Sequence, residues 1–264
     1  MLGLGNNLTG GNVLEPTRDV TNNYSVYYDG TDSTATGTIP ALGDTFSISM
    51  WINFASLPTT GNGYDNLISF GAKHASNPNL FLIGRYDESG TGQTIHVWDG
   101  SRTYYVASHT VSTSTWYHYV CVVAPVAGGS ADADRLQFYV NNVSKTIVDS
   151  SSNAPDRNWD INATSSGTIA KYHISDVSHA NAYIDEVAIY DIALTADDVA
   201  DINNGGKPSD LASSASYDTD RTGGLVRYWR FEENTGSTSA NSAGTGTFNA
   251  TLSDTGGWSS TVPS

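Results

Sequence analysis

The sequence predicts an all-β fold, a sandwich or barrel of many short strands with one short helix. Three observations lead there. Runs of four to ten residues rich in β-branched and aromatic side chains recur along the chain, each bounded by Gly, Asn, Asp or Ser. One of them, residues 45–54 (TFSISMWINF), alternates strictly between apolar and other residues. Only one segment carries both the start and the stop signals of a helix. At 264 residues the chain is long enough to bury a sizeable core in one large all-β domain.

Residues 1–23 are rich in Gly, Asn and Thr, with Leu2, Leu4, Leu8, Val13 and Leu14 as scattered apolar positions. They read as a flexible arm that becomes ordered only against a partner. In residues 45–54, Phe46, Ile48, Met50, Ile52 and Phe54 point one way, and Ser47, Ser49, Trp51 and Asn53 the other, as in a strand with one face in a core. Further strands are expected at 66–70, 79–85, 94–98, 103–108, 115–123, 135–141, 167–172 and 182–190. Asp99-Gly100-Ser101-Arg102 forms a hairpin turn, in which Gly100 takes the positive φ that a tight turn requires. Residues 124–134 are a solvated connection.

The helix lies in ALTADDVADINNGG. Thr195 caps it, Asp197 and Asp198 suit the positive end of its dipole, Leu194 and Val199 form a hydrophobic staple, and Gly205-Gly206 ends it. So short a helix must dock, and an open end or edge of the sandwich is the expected place. Residues 207–224 read as a polar linker. Strands at 225–232 and 247–252 follow, and two strands do not make an independent domain. The tail 225–264 is therefore expected to complete the same sandwich.

The run YSVYYDGTDSTATGTIPALGDTFSISMWINF, then TWYHYVCVV and RLQFYVNNV, then YIDEVAIYDIALTADDVADINNGG, resembles the laminin-G-like branch of the concanavalin A-like lectin/glucanase superfamily over residues 24–206. The last motif is the most specific. The resemblance implies an antiparallel jelly-roll β-sandwich. The tail GLVRYWRFEENTGSTSANSAGTGTFNATLSDTGGW is similar to the segment that precedes the YSVYYDG strand in that family, so the chain reads as a circular permutation in effect.

Charge narrows the partners. Lys plus Arg number 12 against 27 for Asp plus Glu, a net charge of −15, and the few cations form no basic patch. Nucleic acid and anionic membranes are therefore not expected as partners. The single cysteine, Cys121, excludes an intrachain disulfide and a multi-cysteine zinc site. No apolar run approaches the roughly 18 residues of a membrane span, and the N-terminus lacks the basic and apolar regions of a secretory signal.

Catalysis is not expected. Glucanases of the resembled superfamily use two carboxylates at even spacing on one strand, whereas Asp185 and Glu186, like Glu232 and Glu233, are adjacent and so are expected on opposite faces. His118 and Cys121 read as packed core residues. Calcium is the one cofactor the pattern admits. Asp29, Asp32, Asp44, Asp185 and Glu232 offer hard oxygen ligands, with plain surface carboxylates as the equal alternative. The resemblance singles out Asp185, whose counterpart in the family lies near a structural ion, and Asp29 joins it as a candidate ligand. Sugar recognition needs aromatic platforms and hydroxyl-binding polar groups. The candidates are Tyr64, Asn66, Trp98, Asp99, Arg102, Tyr104, Asn158 and Trp159.

The expectation is a noncatalytic, lectin-like protein on the surface of a phage virion, a structural or decoration protein that adheres to glycan or to a host surface. The opening MLGLGNNLTGG is similar to the openings of phage virion proteins. Its partners are other virion proteins or further copies of itself, held through the arm. The alternative is an adhesin or carbohydrate-binding module on a bacterial surface, exported by a nonclassical route.

Overall fold

The computed structural model describes residues 20–57, 63–72, 79–88, 92–100, 102–125, 135–149, 159, 161, 163–213, 224–244, 248–253 and 257–264. The arm residues Leu2, Leu4, Leu8, Val13 and Leu14, and Asn158, lie outside them. In chain order the elements are β1 (Ser25–Asp29), β2 (Ala35–Ile39), β3 (Phe46–Phe54), β4 (Gly63–Ala72), β5 (Asn79–Glu88), β6 (Gly92–Trp98), β7 (Thr103–Val106), β8 (Trp116–Val123), β9 (Leu136–Val140), β10 (Val143–Lys145), β11 (Ile147–Asp149), β12 (Ser165–Ile169), β13 (Asn181–Tyr190), α1 (Ala196–Asn203), β14 (Leu225–Trp229), β15 (Thr238–Ser239), β16 (Ala250–Leu252) and β17 (Gly257–Ser259). The strands form two antiparallel sheets packed as a jelly-roll sandwich. The eight-stranded sheet runs β10-β9-β8-β3-β13-β1-β17 with β14 added to β13, and the nine-stranded sheet runs β11-β7-β6-β5-β4-β12-β2-β16-β15. Among the described residues no helix is long and apolar enough to cross a membrane.

The main core lies between the sheets. Phe46, Ile48, Met50, Ile52 and Phe54 of β3 enter it together with Ile68, Phe70, Phe81 and Ile83 from β4 and β5. Phe46 meets Phe81 edge-on at 5.1 Å between ring centroids. The other side of β3 departs from the expectation of one buried face, because Ser47, Ser49, Trp51 and Asn53 are buried as well. The helix is the reason. Instead of docking at an end or edge, α1 lies over the outer face of the eight-stranded sheet, where Leu194, Val199 and Ile202 pack on Val120 and Val122 of β8 and on Ala188 and Tyr190 of β13. Burying each such aliphatic side chain contributes roughly 1.5–3 kcal/mol, which holds a helix too short to persist alone. Its capping box is complete: Asp198 N–H donates to Thr195 Oγ1 at 3.3 Å, and Thr195 N–H donates to Asp198 Oδ2 at 2.6 Å. Asn204, at φ 47°, takes the left-handed C-cap ahead of the two glycines.

His118 sits beneath this helix. It stacks on Trp51 at 4.7 Å; Asn203 Nδ2 donates to its Nδ1 at 3.1 Å, and Nε2–H donates to Ser49 Oγ at 2.8 Å. Both nitrogens are satisfied, and burial depresses its pKa to about 3. Cys121, on the opposite side of β8, is in the main core, where burial pushes its thiol pKa up.

The C-terminal strands enter both sheets: β14 pairs with β13, β17 with β1, and β16 with β2. Trp229 and Phe231 reach the main core. Gly37 of β2 makes room for the indole, since a Cβ there would stand 2.8 Å from Trp229 Cζ2. Arg227 Nε donates to the Thr38 carbonyl at 2.6 Å and so ties the two sheets along this edge. Part of the segment read as a linker is packed, for Leu211 is buried beside α1 and the Ser209 carbonyl accepts from Tyr228 Oη at 3.1 Å.

A bulge in β13 overturns the expectation that Asp185 and Glu186 face opposite ways. Pairing with β3 shifts register between Asp185 and Ala188, and Glu186 takes φ 49°. Ile184 and Val187 both enter the main core, so two residues instead of one turn away between them. Asp185 and Glu186 therefore lie on the same, outer side.

Candidate functional site

The outer face of the nine-stranded sheet carries an aromatic strip. Where Ile83, Ile95, Val97 and Tyr104 turn into the core, alternation sends Tyr86 on β5, His96 and Trp98 on β6 and Tyr105 on β7 outward. Tyr64 of β4 stacks on Tyr86 at 4.6 Å, and Tyr86 on Tyr105 at 5.9 Å. His96 meets Tyr64 edge-on at 5.8 Å. A pocket of about 330 Å³ opens beside this strip, between Tyr64, Trp98 and Tyr172, with Asn66, His96, Leu82 and Thr103 lining it. None of the described residues that line it is an acid, a lysine or an arginine.

The far wall is the segment between β12 and β13. Asn66 N–H donates to the Ser178 carbonyl at 3.0 Å, and His173 N–H donates to Ser69 Oγ at 2.8 Å. The His173 ring bonds the Gly71 carbonyl through Nε2 at 2.5 Å. These bonds hold Tyr172 against Trp98, with ring centroids 5.8 Å apart. Of the lining residues, Tyr64 and Val177 are 45% and 51% exposed.

The structure brings Tyr64, Asn66 and Trp98 together around one pocket and places the other described candidates elsewhere. Tyr104 and Trp159 are buried in the core with their rings 5.3 Å apart, so neither can serve as a platform. The face of β7 that opens outward presents Tyr105. Asp99 and Arg102 are buried in the β6–β7 turn: Arg102 N–H donates to Asp99 Oδ1 at 2.7 Å, and the guanidinium reaches Asp149 Oδ2 of β11 at 3.4 Å. They build the hairpin. His96 and Tyr172 were missed. His96 was legible, because it shares a strand face with Trp98; Tyr172 lies in an irregular segment that has no period.

Asp29 and Asp185 do not belong to one ligand set. Asp29 closes its own turn, accepting from Thr31 N–H at 2.9 Å, Thr31 Oγ1 at 2.7 Å and Ser33 Oγ at 2.6 Å. It pairs with Asn181, four positions along β13 from Asp185, or about 13 Å at the rise of a strand. Asp185 is fully buried and accepts from Asn22 Nδ2 and Glu186 N–H, each at 2.9 Å. Burial and the neighbouring Glu186 push its pKa well up. Glu186 accepts from Tyr228 Oη and, at 3.2 Å, from Arg230 Nε; burial raises its pKa to about 7 against the pull of that guanidinium. Among the described residues no group of three or more His, Cys, Asp or Glu side chains is placed to hold a metal ion.

Residues 21–200 match the Laminin_G_3 family, described as the concanavalin A-like lectin/glucanases superfamily. No curated protein sequence matches the chain significantly. Among solved structures, the chain is similar to a Bacteroides ovatus protein described as a candidate carbohydrate binding protein (TM-score 0.58, 15% identity, covering 92% of this chain and 62% of that one). It is also similar to a heptameric SAP-like pentraxin from Limulus polyphemus (0.53, 16%, 70% and 82%). A third likeness is to the enzymatically active domain of tailspike protein 2 of bacteriophage CBA120 (0.51, 12%, 80% and 33%). The chain spans less than two thirds of the first and third of these, and at such identities the likeness is one of fold.

Proposed function

The chain belongs to the concanavalin A-like lectin/glucanase superfamily, and from that premise we propose that it is a noncatalytic glycan-binding module whose ligand sits in the pocket between Tyr64, Trp98 and Tyr172. The stacked aromatic strip, with Tyr64 exposed beside a pocket lined by neutral polar groups, carries the reading. Sugar rings present apolar C–H faces that lie flat on aromatic rings, and their hydroxyls need neutral hydrogen-bonding partners. The two carboxylates that the bulge brings to one side are sealed from solvent, which supports binding without hydrolysis. Titration calorimetry with glycans selected on an array is the test. Tyr64→Ala and Trp98→Ala each weaken binding at least tenfold, and unchanged affinity in both sinks the site. Release of reducing sugar above a denatured control would revive hydrolysis.

We further propose display on a phage particle, with residues 1–23 joining the sandwich to other virion proteins or to further copies. Deleting residues 1–12 abolishes incorporation into the particle while leaving the melt of the sandwich unchanged. Absence of the protein from purified particles by mass spectrometry turns the reading toward a bacterial surface adhesin.

A further inference from the structure

The floor of the aromatic pocket is polar and has an unusual construction. His96 is 3% exposed, yet its Nδ1 is sealed without any hydrogen-bond partner. The ring lines the pocket, which leaves Nε2 as the nitrogen that opens to it. In a neutral imidazole one nitrogen carries the proton and the other a lone pair. A sealed N–H with no acceptor costs more than a sealed lone pair, because buried donors are the groups least tolerated unpaired. The proton therefore belongs on Nε2, facing the pocket.

Gly84 of β5 makes this floor. A Cβ at Gly84 would stand 3.0 Å from His96 Cε1 and 3.0 Å from Asn66 Oδ1. The absent side chain lets the His96 ring and the Asn66 amide, a donor and an acceptor that both line the pocket, approach each other over the β5 backbone. A hydroxyl is the group that fits both, since it accepts through its oxygen and donates its hydrogen at the same time. Burial, reinforced by the Arg85 guanidinium, depresses the His96 pKa to about 3, so the ring stays a neutral donor–acceptor near neutral pH.

We propose that His96 and Asn66 together read one hydroxyl of a neutral sugar residue, and that the pocket rejects acidic sugars. This rests on the glycan-binding reading of the same pocket. A carboxylate carried into the pocket would lose its water without meeting a cation among the described lining residues. The net charge of −15 repels acidic polymers further.

The test is calorimetry of the full chain against neutral gluco-, manno- and galacto-oligosaccharides and against acidic oligouronates and sialyllactose. Wild type binds a neutral oligosaccharide and not the acidic ones. His96→Phe, which keeps a ring and removes both nitrogens, weakens that binding at least tenfold without lowering the melting temperature, whereas a merely structural histidine would lower it. His96→Gln, which restores an N–H at the position of Nε2, recovers most of the affinity. Tighter binding of the acidic ligands overturns the inference and leaves the pocket standing. So does wild-type affinity in His96→Phe when Tyr64→Ala has lost it. No binding of either class by wild type overturns the glycan-binding reading along with it.

Discussion

The two outer faces of the sandwich are built from similar residues and come to opposite ends. On the eight-stranded sheet, α1 and the segment around Leu211 seal an apolar layer, and the histidine within it, His118, has both nitrogens bonded and its ring stacked on Trp51. On the nine-stranded sheet, the aromatic strip faces outward and its histidine, His96, keeps one nitrogen without a partner. Two buried histidines beside aromatic rings thus differ in satisfaction. A saturated polar group stabilises and specifies the fold, whereas the sealed, unpaired Nδ1 of His96 costs the fold while the ring's other nitrogen is left to the pocket.

The strongest test of this contrast attacks the packed side. Trp229→Ala empties the space over Gly37, and removing a buried indole costs about 3–5 kcal/mol, a large fraction of the stability of a typical domain. A melt within 1 or 2 °C of wild type would show that the C-terminal strands are dispensable. Next comes pH. His96 and His118, with pKa values depressed to about 3 by burial, contribute stability that is present above their unfolded pKa near 6.5 and is lost as pH falls toward 3. Glu186, raised to about 7 by burial, contributes stability that is present below its unfolded pKa near 4.5 and is lost as pH rises through 7. From about pH 7.5 upward the histidines are largely neutral in both states, so chemical denaturation there reports the carboxylates. Stability falls with rising pH in that window, by at most about 1.4 kcal/mol per unit for one group, and Glu186→Gln flattens the fall. A wild-type profile that is already flat removes Glu186 as a titrating group. The smallest effect on stability belongs to the open face: Tyr64→Ala shifts it by about 0.5 kcal/mol or less, as expected of an exposed residue. The same variant loses ligand, so a large drop in its melting temperature would mean that Tyr64 is structural.

Much of the fold was legible. The period-two pattern of residues 45–54 and the capped segment around Thr195 each obey a local rule, and each forms the element it encodes. The site was legible in part. Tyr64, Asn66 and Trp98 meet, but in TYYV either parity offers a tyrosine, and Tyr104 was taken for the outward one although it is in the core.

Periodicity and capping are properties of neighbours in the chain, so the sequence by itself determined most of the longer strands, where the helix starts, and, with one cysteine, that no intrachain disulfide forms. It could not determine which side of each strand faces the other sheet. That depends on partners far away in sequence, as when α1 buries the second face of β3 or when Gly84 of β5 lets Asn66 of β4 and His96 of β6 approach over its backbone. Nor could it place the bulge at Glu186, where one extra residue turns two carboxylates to the same side. These were decided by tertiary structure alone, because a bulge and a shared floor exist only once strands distant in the chain are laid side by side.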